Sequence, residues 1–527
     1  MRSSAAILLT FALRLSAAVP APVADAAQAG EAATVRSLLA KKADVNAPQG
    51  DGMTALHWAA SRDDRAMAKA LLTEGANPKA LTRLSSITPI FLAAQTGSGA
   101  LVEMLAASGA DVNAANDTGI TPLMMAAAAG SVDAIQALLK HGAKVNAKES
   151  AREQTALMFA AAKNRGAAVR TLIARGAEAD AATKVTPVER IPFEADPGAP
   201  PPEAPSTTNP ATPQPPRREF GANLSGGTTA LLYAARDGSF EAVRALVESG
   251  ADVNRFSGSE KLSSMVMAIS NGHFDIAAFL LEHGADPNLA TVQGLTPLYA
   301  TIDVQWSPHA WYPEPVVEQE QHSYLELMKA LLGHGASVNA RLERKAWFRT
   351  TSHDATWVDT AGATAFWRAA QATDVEAMKL LLAAGADPNY STTEGVTPLM
   401  VAAGLGWGWN FSVGAADGWL SATHYCLELG LKVNTADNKG QTALHGAAYV
   451  GDNALVQLLV DRGAGVMAIS REGNTVADMA NGPNRFGIPH PETVALLEKL
   501  GSVNSHNCRS DTCLVAPTQD KKPASPR

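Results

Sequence analysis

A chain that does chemistry carries acid–base, nucleophilic or metal-ligating side chains at spacings a mechanism can use, and these 527 residues hold few candidates. His353-Asp354 and Asp359 have the types for proton transfer, and His309 and His322 the type for metal ligation. None stands in a mechanistic spacing: the sequence has no H-E-x-x-H, no P-loop and no nucleophile elbow. Gly404-Leu405-Gly406-Trp407-Gly408 has alternating glycines, but Trp409-Asn410-Phe411 follows where a dinucleotide turn needs a strand–turn–helix context, so a flexible loop is expected. Cys508 and Cys513 sit in a polar tail and suit a local disulfide in an oxidising compartment; free thiols are the alternative. Four residues separate them and no histidine follows Cys513, which excludes haem attachment, and His506 with the two thiols gives too few ligands for a metal. Cys426 reads as a small buried residue. No catalytic, metal or cofactor site is therefore expected.

The other conspicuous side chains are tryptophans. Eight of the nine lie between residues 306 and 419, and the ninth is Trp58. Apart from Trp367 they fall in three insertions: Asp303 to Ser323 with Trp306, Trp311 and Tyr312; Arg341 to Gly362 with Trp347, Phe348, His353 and Trp357; and Gly404 to Leu420 with Trp407, Trp409 and Trp419. Tryptophan in loops gives a large contact area for little conformational entropy, as binding surfaces require. One reading is a partner-binding surface formed by these aromatics. A second is a private mini-core covering the edge of the fold, with Arg341, Arg344, Lys345 and Arg349 pairing Glu314, Glu318 and Glu320. A small-molecule pocket is a third.

The elements that position these loops are visible as a repeat. Thr, then Pro or Ala, then a bulky apolar residue recurs at Thr54, Thr88, Thr121 and Thr155, in steps of 34, 33 and 34. It returns at Thr229, Thr296, Thr364, Thr397 and Thr442. A second signature closes most units, as in Gly109-Ala110-Asp111-Val112-Asn113 and Gly385-Ala386-Asp387-Pro388-Asn389. Thr54-Ala55-Leu56-His57-Trp58-Ala59-Ala60 and Thr442-Ala443-Leu444-His445-Gly446-Ala447-Ala448 resemble the signature of the ankyrin family, whose repeat is about 33 residues long. Threonine suits an N-cap and proline the first helical position. The Ala-Ala pair keeps the first helix thin, and Val132, Ile135, Leu138 and Leu139 place one apolar stripe on the second. Glycine ends that helix where φ is positive.

The expected fold is thus an all-α repeat, an ankyrin solenoid of helix-turn-helix units with hairpin loops, in two blocks. Block 1 is expected over 25–183 and block 2, with the insertions 303–323, 341–362 and 404–420, over 228–501. Block 2 includes a degenerate unit near Ser264-Met265-Val266 and a capping unit from Thr475 to Leu500. Residues 184–227 hold 11 of the 30 prolines and read as a largely disordered linker or loop. Residues 502–527 form the polar tail.

Bulk properties narrow the function. A net charge of −8 and a pI near 5.9 argue against a nucleic-acid partner. Met1-Arg2, an apolar run from Ala5 to Val19 interrupted by Arg14, and Ser16-Ala17-Ala18 read as an export signal, with a second cleavage option at Ala21-Pro22-Val23-Ala24; the signal is assigned to 1–24. No other stretch approaches the length of a membrane span. Periplasmic or secreted residence is expected, and the chain resembles exported bacterial ankyrin proteins with insertions. The resemblance implies a scaffold or adaptor for a protein partner of unknown identity, bound through the block 2 aromatics and the concave helix face. The alternative from another class is an accessory subunit of a cofactor-bearing periplasmic enzyme, and a stand-alone hydrolase ranks third.

Overall fold

The computed structural model describes residues 20–187, 224–258, 260–307, 316–345, 358–408, 412–416, 418–483 and 487–505. Over these residues the chain is a succession of short helices in antiparallel pairs, the expected all-α repeat. The first helix of a pair starts at the repeated threonine. Thr88 Oγ1 accepts the Phe91 N–H at 3.3 Å and Thr364 Oγ1 the Trp367 N–H at 3.2 Å, each satisfying one of the donors a helix start leaves unpaired. Pro89, Pro122, Pro297 and Pro398 occupy the first helical position, where no N–H is needed. Where His57 follows the cap, its Nδ1 accepts the Thr54 N–H at 3.1 Å. That leaves Nε2 as the protonated nitrogen, and it donates to the Ile87 carbonyl of the next unit at 3.0 Å.

The second helix buries its stripe between neighbours, because one unit has no core of its own. In Val132–Lys140 the stripe is narrower than expected: Ile135 and Leu138 are fully buried, while Val132 and Leu139 lie at its half-exposed margins. Gly142 follows with φ +89°, and open space around it shows that the need is conformational rather than steric. Its carbonyl accepts from Asn113 Nδ2 at 3.0 Å, while Asn113 Oδ1 accepts the Lys144 N–H at 2.9 Å. The same two-bond stitch recurs from Asn46, Asn146, Asn254, Asn288, Asn339 and Asn434. Asn389 departs from it and turns back on Asp387 at 2.9 Å.

The chain forms two compact units, one of Met1–Lys184, Thr229–Ala234 and Glu241–Ala251, the other of Val185–Thr228, Ala235–Phe240 and Asp252–Arg527. In the first, helix Pro22–Ala29 opens the array with Val23 and Ala24 fully buried, so it begins inside the segment assigned above to the export signal. Also within it, Asn164 Oδ1 accepts the Ala242 N–H at 3.0 Å, and the Glu241 carbonyl lies 2.7 Å from where a Cβ on Gly166 would stand. Repeats on either side of the proline-rich stretch are therefore packed neighbours. Ala182 bridges Thr229, and Thr186 and Pro187 pair antiparallel with Ser225 and Leu224. The stretch leaves and rejoins at one place; residues 188–223 are outside the described residues. Among the described residues no helix is long and apolar enough to cross a membrane.

Candidate functional site

The second unit carries the three insertions. The first begins as helix rather than loop: Pro297–Gln305 continues past its neighbours' length and brings Asp303 and the cap residue Trp306 over the next repeat. There Arg368 stands at the helix position filled by Trp58, Leu92, Met125 and Phe159 in other units. Arg368 Nε donates to Asp303 Oδ1 at 2.8 Å with both side chains nearly inaccessible, and its Nη2 donates to the Trp306 carbonyl at 2.7 Å. A buried ion pair is tolerable only with such additional bonds, and a cation at a helix C-terminus also meets the negative end of the dipole.

Asp374 is the hub of the cluster. Its Oδ2 accepts the Trp306 indole N–H at 2.7 Å and the Tyr324 hydroxyl at 2.8 Å, while Oδ1 caps helix Val375–Ala383 through the Ala377 N–H at 2.9 Å. The Trp306 and Tyr324 rings meet edge-on with centroids 6.0 Å apart. Trp306 thus ties both limbs of the first insertion to the following repeat.

The second insertion has a closed stem: Leu342 N–H donates to the Ala363 carbonyl at 3.0 Å and Gly362 N–H to the Leu342 carbonyl at 2.7 Å. Arg341 donates to the carbonyls of Gly362 at 2.8 Å and Ser391 at 2.7 Å, with its guanidinium 5.2 Å from the Tyr390 ring centre. Glu320 accepts the Asp275 N–H at 2.8 Å. Arg341 and Glu320 are thus each held by other groups rather than by one another; Arg349 and Glu314 are outside the described residues.

In the third insertion Gly404 and Gly406 have φ of +91° and +83°, and a Cβ on Gly406 would come within 2.5 Å of Val358 Cγ2. Glycine here serves close packing onto the end of the second insertion. Trp407 and Trp419 meet edge-on at 5.1 Å, and helix Gly418–Glu428 already includes Trp419 and Leu420. Ala415 N–H donates to the Ala372 carbonyl at 2.8 Å, and the Gly408 N–H to Ser412 Oγ at 2.9 Å. Trp306, Arg368, Gln371, Leu405, Trp407 and Ser412 line a cavity of about 20 Å³, room for one water against the several hundred Å³ a small-molecule site needs.

Of the tryptophans singled out from sequence, Trp306, Trp407 and Trp419 lie together at the roots of the first and third insertions, each half-buried. Trp311, Tyr312, Trp347, Trp357, Trp409, Cys508 and Cys513 are outside the described residues, as are His309 and His353. Trp367 belongs to the core: it is fully buried and its indole N–H donates to the Val396 carbonyl at 3.0 Å, the bond His57 makes to Ile87. Cys426 is buried as expected, and desolvation pushes its thiol up to about 12. Asp374 and Tyr324 were not singled out; an aspartate before Val375 signals a helix cap, but its indole and phenol partners arrive from 68 and 50 residues away. Trp306, Arg368 and Asp374 are committed to position-holding bonds, and no group of three or more His, Cys, Asp or Glu side chains suited to a metal occurs among the described residues.

The family comparisons agree with this architecture. A model of ankyrin repeats in three copies matches residues 23–116, 90–183 and 216–300, and a single ankyrin repeat model matches 361–393 and 439–471. Together these cover more than half of the chain. Similar proteins include zygote-specific protein 3 of Chlamydomonas reinhardtii, 37% identical over 22% of this chain and 32% of the relative. The palmitoyltransferase Hip14 of Drosophila melanogaster is 36% identical over 17% of this chain and 14% of its own length, within the ankyrin region. The chain thus spans a third or less of these relatives. Ankyrin repeats generally mediate protein–protein interaction. With its capped helix pairs, stitched hairpins and matching repeat models, the chain belongs to the ankyrin-repeat family.

Proposed function

We propose that this protein is an exported scaffold or adaptor that binds a protein partner through the three insertions of its second unit and the concave helix face. The observation that carries this is the concentration of tryptophan in loops whose described roots are fixed to the repeats by Trp306, Arg368 and Asp374. A rigid base lowers the ordering cost of binding, which is where loop aromatics contribute most. The cavity between the first and third insertions is water-sized, which favours a macromolecular partner over a small ligand.

Export fits best with cleavage after Ala18, because removal of residues through Ala24 would delete the buried Val23 and Ala24 from the first helix. The test is crosslinking capture from the periplasm of a host expressing the full chain, with the N-terminus of the captured protein sequenced. Changing Trp407 and Trp409 to alanine together is expected to lower capture at least tenfold while the helical signal remains. A folded variant that still captures every native partner removes the third insertion from the binding surface, and an unprocessed chain in the cytoplasm removes the export assignment.

A further inference from the structure

Successive hairpins are tied edge to edge by a backbone hydrogen bond that keeps a fixed register. In every described hairpin from Arg83 to Arg471 the donor is the eighth residue after the positive-φ glycine that ends the preceding helix: Ser150 after Gly142, Asn438 after Gly430, Arg471 after Gly463. The acceptor is a carbonyl at the tip of the hairpin before, Thr118 at 2.9 Å, Glu394 at 2.8 Å and Lys439 at 2.7 Å. The register holds beyond the proline-rich stretch and the second insertion as well, where Gly258 donates to the Gly226 carbonyl at 3.3 Å and Thr393 to that of Ala361 at 2.7 Å. Where the tip carries a glycine, the next hairpin closes on it. A Cβ on Gly119 would stand 2.7 Å from the Ser150 nitrogen, and one on Gly440 3.2 Å from that of Arg471.

The last described hairpin has its tip at Glu472 and Gly473, and there the series stops. Gly473 has the φ of its counterparts, +83°, yet among the described residues no atom lies within 4 Å of where its Cβ would stand and no backbone N–H meets the Glu472 carbonyl. The opening is confined to this edge. Helix Val476–Ala480 beside it is buried as an interior helix is, whereas Met467, Ile469 and Val503 are 60%, 57% and 55% exposed. Ile469 bridges Thr475, whose hydroxyl donates to the Val503 carbonyl, so the two side chains belong to one edge. An unpaired edge with apolar side chains is a template for another strand.

The chain itself returns to this place. Helix Pro491–Lys499 is followed by Gly501 with φ +103°, and Asp478 Oδ1 accepts the Ser505 N–H at 2.8 Å and its hydroxyl at 2.7 Å. The eighth residue after Gly501 is Arg509, outside the described residues. Beyond it Thr512-Cys513-Leu514 has the order that opens each unit, with cysteine in the place of proline or alanine. Thr512 stands 11 residues after Gly501, one fewer than Thr121 after Gly109 or Thr442 after Gly430.

We propose that residues 506–514 form the hairpin of a further, incomplete unit, laid on the edge 467–473 with the Arg509 N–H donating to the Glu472 carbonyl. The segment covers Met467 and Ile469, and the polar His506-Asn507 and Arg509-Ser510-Asp511 suit the solvent-facing side that a terminal unit of a stacked array requires. Tethered at Ser505, it meets the edge at an effective concentration on the order of millimolar, which favours it over a second copy of the chain. The cap is independent of which partner the insertions bind.

Hydrogen exchange of the full chain, corrected for intrinsic rates and read on a peptide covering 504–514, is expected to show protection that Arg509→Pro abolishes, since proline has no N–H to donate. Arg509→Ala keeps that N–H and is expected to match the native chain. Oxidation by hydrogen peroxide gives a second readout: Met467 is expected to react about fivefold faster in Arg509→Pro than in the native chain, the scale of one backbone hydrogen bond. Exchange of the native segment at its intrinsic rate overturns the cap, and so does equal Met467 oxidation in the three proteins. Protection that grows with protein concentration alongside a dimer in sedimentation also overturns it, and assigns the edge to a second copy.

Discussion

At the scale of single residues, the repeat uses one device in several chemical forms. His57 links its helix start to the next unit through Nε2, and Trp367 makes the equivalent bond with its indole N–H. His445 is placed likewise: Nδ1 accepts the Thr442 N–H at 3.0 Å, while Nε2 faces the Asn474 carbonyl without closing a well-formed bond. Burial pushes its pKa down to about 4, so the folded chain resists a proton that the unfolded chain accepts near 6.5. Stability from this residue is complete above about pH 6.5 and falls as the pH drops to about 4, by on the order of 3 kcal/mol. Urea denaturation between pH 7.5 and 4.5 is expected to show a shallower decline for His445→Gln than for the native chain; equal declines would remove His445 as the cause. Glu149 works at lower pH. Burial disfavours its charge, yet the Gln154, Ala151 and Arg152 N–H groups hold its carboxyl below the usual range, so its contribution is lost only in acid below about 4.

At the scale of elements, Arg368 and Asp303 show how an insertion is grafted onto a repeat helix. The extended helix Pro297–Gln305 presents a carboxylate and a free carbonyl end, and Arg368 from helix Ala365–Gln371 satisfies both. Removing only the arginine takes the Arg368 charge away from the buried Asp303. Arg368→Met is therefore expected to destabilise the second unit by about 3–5 kcal/mol, read as a shift in the denaturation midpoint. Adding Asp303→Leu is expected to restore most of that loss, because two apolar groups remove the desolvation penalty together. A double variant as unstable as the single one would show that the Trp306 carbonyl bond, rather than the ion pair, carries the energy.

At the scale of the whole molecule, the two ends of the proline-rich stretch meet between packed repeats. Its two ends pair through Thr186 with Ser225, and the repeats flanking it touch through Asn164 and Ala242. Closing a long surface loop depends only weakly on its length. Replacing 188–223 by a short Gly-Ser turn is accordingly expected to leave the melting temperature within a few degrees of the native value, measured by circular dichroism. A large drop would mean that the excursion itself stabilises the repeats.

The repeat fold was legible from the sequence because its determinants are local and recur. A threonine cap, two small residues, an apolar stripe and a positive-φ glycine act within one unit, so each copy announces itself at Thr54, Thr88, Thr121 and Thr155. The insertions were legible as departures from that period, and their tryptophans as an anomaly of composition. Their anchoring belongs to the tertiary structure. Asp374 collects a tryptophan 68 residues before it, and Glu320 caps the helix start at Asp275 from 45 residues away, pairings that no local pattern specifies because they depend on how consecutive repeats stack. The same stacking decides that Trp367 is core while Trp306 is a fastener, and it brings the two ends of the proline-rich stretch together.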